Sequence, residues 1–145
     1  MRVLIDTNVI VDVLERREAF FDSSYAVVKL AAEGKLDAFT SAGSIADAYY
    51  IIRKGGKSPV AARDAIAALL QLIHACDTTA SDVTTALTLG VVDFEDSILA
   101  ATARREKAEY IITRNERDFS QSPVPAVSPA DFMAQTEKEM KLCEG

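Results

Sequence analysis

Apolar residues fall along this chain in two periods that take turns. Val3, Leu4 and Ile5 form a short continuous run closed by Asp6, the pattern of a buried strand, and residues 7–17 continue with Val9, Val13 and Leu14 at helical spacing. Asp22-Ser23 is placed to cap a second helix whose stripe of Tyr25, Val28, Lys29 and Ala32 stops at Gly34, after which residues 36–40 read as a strand. Residues 41–54 return to helix, with Ile45, Tyr49 and Ile52 on one face, Asp47 in the early turns and Gly55-Gly56 as the stop. Ser58-Pro59 supplies a cap and a proline at the first helical position ahead of an alanine- and leucine-rich helix over 62–73.

Beyond it, residues 76–79 predict a third strand and 81–89 a short helix. A longer helix is predicted over 93–107, with Phe94, Ile98, Ala101 and Ala108 as core contacts, then a fourth strand over 110–113. Pro123 and Pro125 lead to a last short strand at Ala126-Val127, and Ser128-Pro129 opens a final helix that turns polar from Glu137 and is expected to fray. Strands alternating with helices, without a repeat or a linker, predict a three-layer α/β/α domain with a mainly parallel central sheet. The expected organisation is one domain over 1–136 followed by a polar tail over 137–145.

Composition narrows the class without naming it. With 145 residues, 49% of them hydrophobic and 26% charged, the chain has the length and balance of one ordinary globular domain. No run of eighteen apolar residues is present and Met1-Arg2 leads straight into a strand, so a membrane span and a signal sequence are not predicted and a cytoplasmic location is expected. Cys76 and Cys143 are the only cysteines, far apart and without histidine at ligand spacing, which argues against a disulfide framework or a zinc site. The net charge of −6 argues against a protein that holds nucleic acid by neutralising many phosphates. Arg53, Lys54 and Lys57 are local cations that could steer a phosphate backbone or simply be a solvated helix end. The single histidine, His74, lies in the apolar stretch Leu72-Ile73-His74 and is read as structural.

Candidate chemistry rests on acids at strand-to-helix junctions. A parallel sheet gathers the carboxyl ends of its strands along one edge, so Asp6, Asp47, Asp96 and Asp118 could meet in one crevice. Each also has an ordinary reading. Aspartate caps helices and favours the positive end of the helix dipole, and Ser44 with Asp47 and Asp93 with Asp96 both have capping-box spacing. Capping contributes about 1 kcal/mol, whereas unit charges about 4 Å apart repel by about 4 kcal/mol at an effective dielectric near 20. Converging acids therefore call for a cation, and a set of oxygen ligands favours Mg²⁺ or Mn²⁺ over zinc.

Asp6-Thr7-Asn8, then Asp93-Phe94-Glu95-Asp96 followed by Ala100-Ala101, and Thr113-Arg114-Asn115-Glu116-Arg117-Asp118-Phe119 together resemble the PIN domain family, over nearly the whole chain. Within it the resemblance is to VapC-type toxins of toxin–antitoxin pairs, which implies a metal-dependent endoribonuclease. It implies metal ligation by Asp6, Asp96 and Asp47, the last standing where the family usually has glutamate, with a reach shorter by one methylene. The family often has aspartate where this chain has Asn115, so Asp118 and Asn115 are both retained as candidates for the fourth position. Thr113 is expected to orient a ligand or water, Asn8 to brace the strand-end turn, and Asp93 to stand beside the site.

The expected function is thus hydrolysis of RNA phosphodiesters with Mg²⁺ or Mn²⁺, with an RNA substrate, a cognate antitoxin and a homodimer implied by the resemblance. Apolar residues on the second to fourth helices are the local hint of the dimer. The alternative is a non-catalytic PIN scaffold that binds RNA or protein. A glycine-rich phosphate loop is not found, since Gly55-Gly56 follows a helix, and Asn8 stands where an aspartyl phosphatase would have its second aspartate. Tyr49 and Tyr50 are read as core or dimer residues before recognition elements.

Overall fold

The computed structural model describes residues 1–144. In chain order the elements are β1 (Arg2–Ile5), α1 (Thr7–Leu14), α2 (Phe21–Ala32), β2 (Asp37–Ser41), α3 (Ala42–Lys54), α4 (Pro59–Leu69), β3 (His74–Cys76), α5 (Ala80–Ala86), α6 (Phe94–Arg105), β4 (Tyr110–Ile112), a 3-10 turn (Glu116–Phe119), β5 (Ala126–Val127) and α7 (Pro129–Glu144). The sheet has five strands in the order β3-β2-β1-β4-β5, and every neighbouring pair is parallel.

Alternation along the strands builds the layers. Val3, Ile5, Ala38 and Ile112 turn to one face, where Val9, Ile10, Val27, Ala48, Ile52, Ala62 and Phe132 from α1, α2, α3, α4 and α7 cover them. Leu4, Phe39 and Ile111 turn to the other, under Leu99, Ala100 and Ala103 of α6 and Phe119. The expected three-layer α/β/α arrangement is therefore present, with β1 at its centre. Chain order reverses direction at β1, since β2 lies on one side of it and β4 on the other. Such a switch point leaves a crevice at the carboxyl edge of the sheet.

Several boundaries differ from the sequence expectation, each for a local reason. Helix α1 ends at Leu14 because Arg16 takes a left-handed φ of 49°. This lets the Arg17 and Arg16 amides turn back to the carbonyls of Asp12 (3.0 Å) and Val13 (3.3 Å), a Schellman closure. Helix α2 begins at Phe21 with no side-chain cap, so Asp22-Ser23 lies inside its first turn. Helix α4 stops at Leu69, and the third strand is His74–Cys76, earlier than 76–79. Thr79 is instead the N-cap of α5 in a reciprocal capping box with Asp82. His74 is thus an exposed residue of an edge strand, not a core histidine. The polar end of the chain is helical, with α7 running through Glu144, while Gly145, the last residue of the expected tail, lies outside the described residues.

Candidate active site

Three helices begin at the carboxyl edge of the sheet, and each carries an acid in or before its first turns. Asp6 ends the β1 ladder, donating its amide to the Ile112 carbonyl (2.9 Å), and caps α1 by accepting from the Thr7 amide (2.7 Å). Helix α3 follows β2 and is capped by Ser41, whose hydroxyl accepts from the Ser44 amide (3.1 Å). The expected Ser44–Asp47 box is therefore not formed, and Asp47 is exposed in the second turn. Asp93 caps α6 by accepting from the Asp96 amide (3.0 Å), which makes Asp93 a structural residue at the rim and leaves the Asp96 carboxylate in the helix's first turn.

Asp6, Asn8, Ser44, Asp47, Asp96 and Asn115 line one cleft of about 600 Å³. Asp118 lines the adjoining hollow with Asp93, and Asp96 borders both. So three of the four expected acids share a cleft, while Asn115, not Asp118, faces it with them. Asp118 still lies close enough for its charge to act on both Asp6 and Asp96.

Asp6 is 9% exposed and firmly oriented. Its second oxygen accepts from the Thr113 hydroxyl (2.8 Å), and the Asn8 amide group lies 3.4 Å from that oxygen and 3.3 Å from the Thr113 hydroxyl. The Asn115 amide in turn donates to Thr113 (3.1 Å). Thr113 and Asn8 stitch the ends of β1 and β4 together across the switch point and fix the carboxylate between them. Burial pushes the Asp6 carboxyl up, an effect the Thr113 and Thr7 hydrogen bonds partly oppose and Asp118 reinforces. Burial, then the negative charges of Asp6, Asp93, Asp118 and Glu95, pushes Asp96 up to about 7.

Neither Asp6 nor Asp96 takes part in an ion pair among the described residues. The nearby cations are committed elsewhere. Arg114 grips the fully buried Asp12 through two hydrogen bonds of 2.5 and 3.2 Å, with its guanidinium 4.1 Å from the Phe20 ring centre, and Arg17 stands 3.7 Å from the same carboxylate. This cluster was missed in the sequence. Its signal was an acid inside the apolar helix Val9-Ile10-Val11-Asp12-Val13-Leu14, which has no satisfactory partner on its own helix face.

The donor set fits a hard divalent cation in kind: carboxylate and amide oxygens, no sulfur or imidazole, and Asp6 and Asp96 without an ion-pair partner among the described residues. Among the described residues no three His, Cys, Asp or Glu side chains close into a ready cage.

The raised Asp96 carboxyl has a consequence for stability. Its folded value lies above the unfolded 3.8, so the native state holds the extra proton, and stability falls as pH rises from about 4 to about 7. In chelator, the melting temperature should drop across that window, and the drop should shrink in Asp96→Asn. Equal drops in both proteins would contradict the assignment.

The fold and the site together define a PIN domain: the profile for that family matches residues 2–117, and the chain belongs to it. Ribonuclease VapC1 of Aquifex aeolicus (strain VF5) is 24% identical over 136 residues, covering 90% of this chain and 92% of that protein. Among solved structures, VapBC2 from Rickettsia felis, bound to a DNA fragment from its promoter, aligns with a TM-score of 0.71 at 20% identity, covering 88% of this chain and 98% of that one. VapC20 of Mycobacterium tuberculosis, described as a Sarcin-Ricin loop cleaving toxin, aligns at 0.60 and 17% identity over 75% of this chain and 86% of that one. No helix among the described residues is long and apolar enough to cross a membrane.

Proposed function

We propose that this protein is a divalent-metal-dependent endoribonuclease and the toxin of a toxin–antitoxin pair. The observation that carries the reading is the convergence of Asp6, locked by Thr113 and Asn8 at the switch point, with Asp96 and Asp47 in the same cleft. Asp6 and Asp96 would hold Mg²⁺ or Mn²⁺, with Asp47 and the segment from Asn115 to Asp118 supporting the ion or its waters. When bound, the cation supplies charge neutralisation at the phosphodiester and lowers the pKa of an attacking water. Thr113 keeps Asp6 from turning away, and the α3 face carrying Asp47 forms the opposite wall. Asn115 adds an oxygen without a charge, which favours one tightly held ion over two.

The VapC-type relatives support an antitoxin partner, whose basic side chain would enter the acidic cleft and pair with carboxylates that lack an internal counterion. Ribonuclease VapC1 and the Sarcin-Ricin loop cleaving VapC20 support RNA as the substrate, while a homodimer and work in the cytoplasm are what the resemblance to VapC-type toxins implies. Asp47 and Asn115, which stand where the family usually has glutamate and aspartate, favour the second reading, a PIN scaffold that binds RNA or protein without cutting it.

Metal titration separates the two. Protein stripped with chelator should cleave a single-stranded RNA only after Mg²⁺ or Mn²⁺ is restored, and saturating metal should raise the melting temperature, a gain of about 2.7 kcal/mol at a hundred times Kd. Binding without turnover at every metal concentration would establish the scaffold reading instead.

A further inference from the structure

Helix α3 carries more toward the cleft than an acid. Asp47, Tyr50 and Lys54 fall on one face at a spacing of three and then four residues, and Asp47, Tyr50 and Ile51 line the cleft. Tyr49 packs against the core as the sequence reading expected, but Tyr50 does not: it is 60% exposed and pairs with no other aromatic ring among the described residues. It is also the only aromatic residue lining the cleft. The Lys54 ammonium sits 5.0 Å from its ring centre, so one large ring at the rim comes with a cation beside it.

Resting on the ribonuclease reading, we propose that Tyr50 is the stacking platform for an unpaired nucleobase next to the scissile phosphate, with Lys54 contacting the adjoining phosphate. Every base has a π-face, so an aromatic platform holds single strands with little regard to sequence, and it excludes bases already stacked inside a duplex. The charge order along α3 favours a polyanion over a basic peptide. A strand of nucleic acid meets the cation at Lys54 and a metal-neutralised acid at Asp47, whereas a basic antitoxin segment crossing Tyr50 would be repelled by Lys54. Arg53 takes no part, because its guanidinium is bonded to the Lys57 carbonyl (2.7 Å) and closes the end of the helix.

The chain contains no tryptophan, so Tyr50→Trp places a single reporter on the platform. The probe is a short end-labelled single-stranded RNA, compared with the same strand annealed to its complement, both titrated in Ca²⁺ to neutralise the carboxylates and checked on a gel for integrity. Tryptophan emission should change on adding the single strand and not the duplex. Tyr50→Ala should weaken single-strand binding by about tenfold or more, while Tyr50→Phe binds nearly as the parent does. Equal binding by the Tyr50→Ala and parent proteins, or an unaltered tryptophan signal at saturating RNA, overturns the platform but leaves the ribonuclease reading standing. Failure of the parent protein to bind or cut any single strand removes both. If Tyr50→Ala loses a co-expressed antitoxin and keeps its RNA, the surface belongs to the protein partner and the proposal is wrong.

Discussion

Asp6→Asn is expected to abolish metal-stimulated RNA cleavage, by about a thousandfold or more, and to leave the fold intact. A cation at the scissile phosphate is worth several kcal/mol in the transition state, and each 1.36 kcal/mol is about a factor of ten in rate. The amide keeps the acceptor that the Thr7 N–H uses, so the α1 cap survives, while the Thr113 hydroxyl, which already accepts from the Asn115 and Asn8 N–H groups, has to donate to another acceptor. What disappears is a buried negative charge that Asp96 and Asp118 oppose. In chelator the variant should therefore melt at the same temperature as the parent or higher, and it should lose the stabilisation that Mg²⁺ gives. Asp6→Ala makes the contrast, because it removes the cap and strands Thr113, at about 1 kcal/mol for the cap alone. Full activity in Asp6→Asn with clean metal controls, or a lower melting temperature in chelator, would refute the site.

The largest loss of stability is expected at a pair outside the candidate acids of the cleft. Asp12 is fully buried, and Arg114, 24% exposed, fastens it to the segment that carries Thr113 and Asn115. Breaking a buried, hydrogen-bonded ion pair from one side costs about 3–5 kcal/mol, mostly because the remaining charge has no partner. Arg114→Ala should fall in that range, since it leaves the Asp12 carboxylate with only Arg17 at 3.7 Å. Asp12→Ala should sit at the lower end, because Arg114 can turn partly to water. For a domain of this length, about 3 kcal/mol corresponds to roughly a 10 °C fall in melting temperature. Replacing both with apolar residues of similar volume, Asp12→Leu with Arg114→Met, should recover much of the loss.

Activity should follow only in part. The Arg114 backbone N–H, which donates to the Asn8 side chain (3.3 Å), survives in the double variant, but the Asp12 clasp on this segment is gone, so the variant, though stable, is expected to hold Thr113 and Asn115 less firmly and to turn over more slowly. Urea unfolding of the three variants checks the energetics. A cost under 1 kcal/mol for Arg114→Ala would mean that the pair is peripheral.

Much of this architecture was legible in the chain because hydrophobic period and capping chemistry are local. The run Val3-Leu4-Ile5 could only be a strand covered on both faces, and Ser58-Pro59 could hardly do other than start a helix. The boundaries that moved were decided by closures that composition does not announce. Arg16 in a left-handed turn ended α1 early, and the Thr79–Asp82 box took the residues expected to extend β3. The polar stretch after Glu137 remained helical through Glu144.

The candidate site was legible in the same measure. Asp6 and Asp96 were found because a carboxylate at a strand end or a helix start is visible as a pattern. Asp93 had two readings, and the bond it accepts from the Asp96 amide shows that it caps α6. Asp12, Arg114 and Arg17 could not be linked from the sequence, since a hundred residues separate the partners in Asp12–Arg114 and only the β1–β4 pairing brings them together.

By itself the sequence determined the alternation of strands and helices, the parallel sheet that alternation requires, and the acids available to a hard cation. These follow from side-chain spacing and from donor chemistry, which are properties of short segments. Only the tertiary structure decided that chain order reverses at β1, that Asn115 and not Asp118 faces the cleft with Asp6, Asp47 and Asp96, and that Arg114 answers Asp12 instead of the acids of the cleft. Those outcomes depend on which distant groups share a low-dielectric space, where charges act over longer range and every buried polar atom needs a partner.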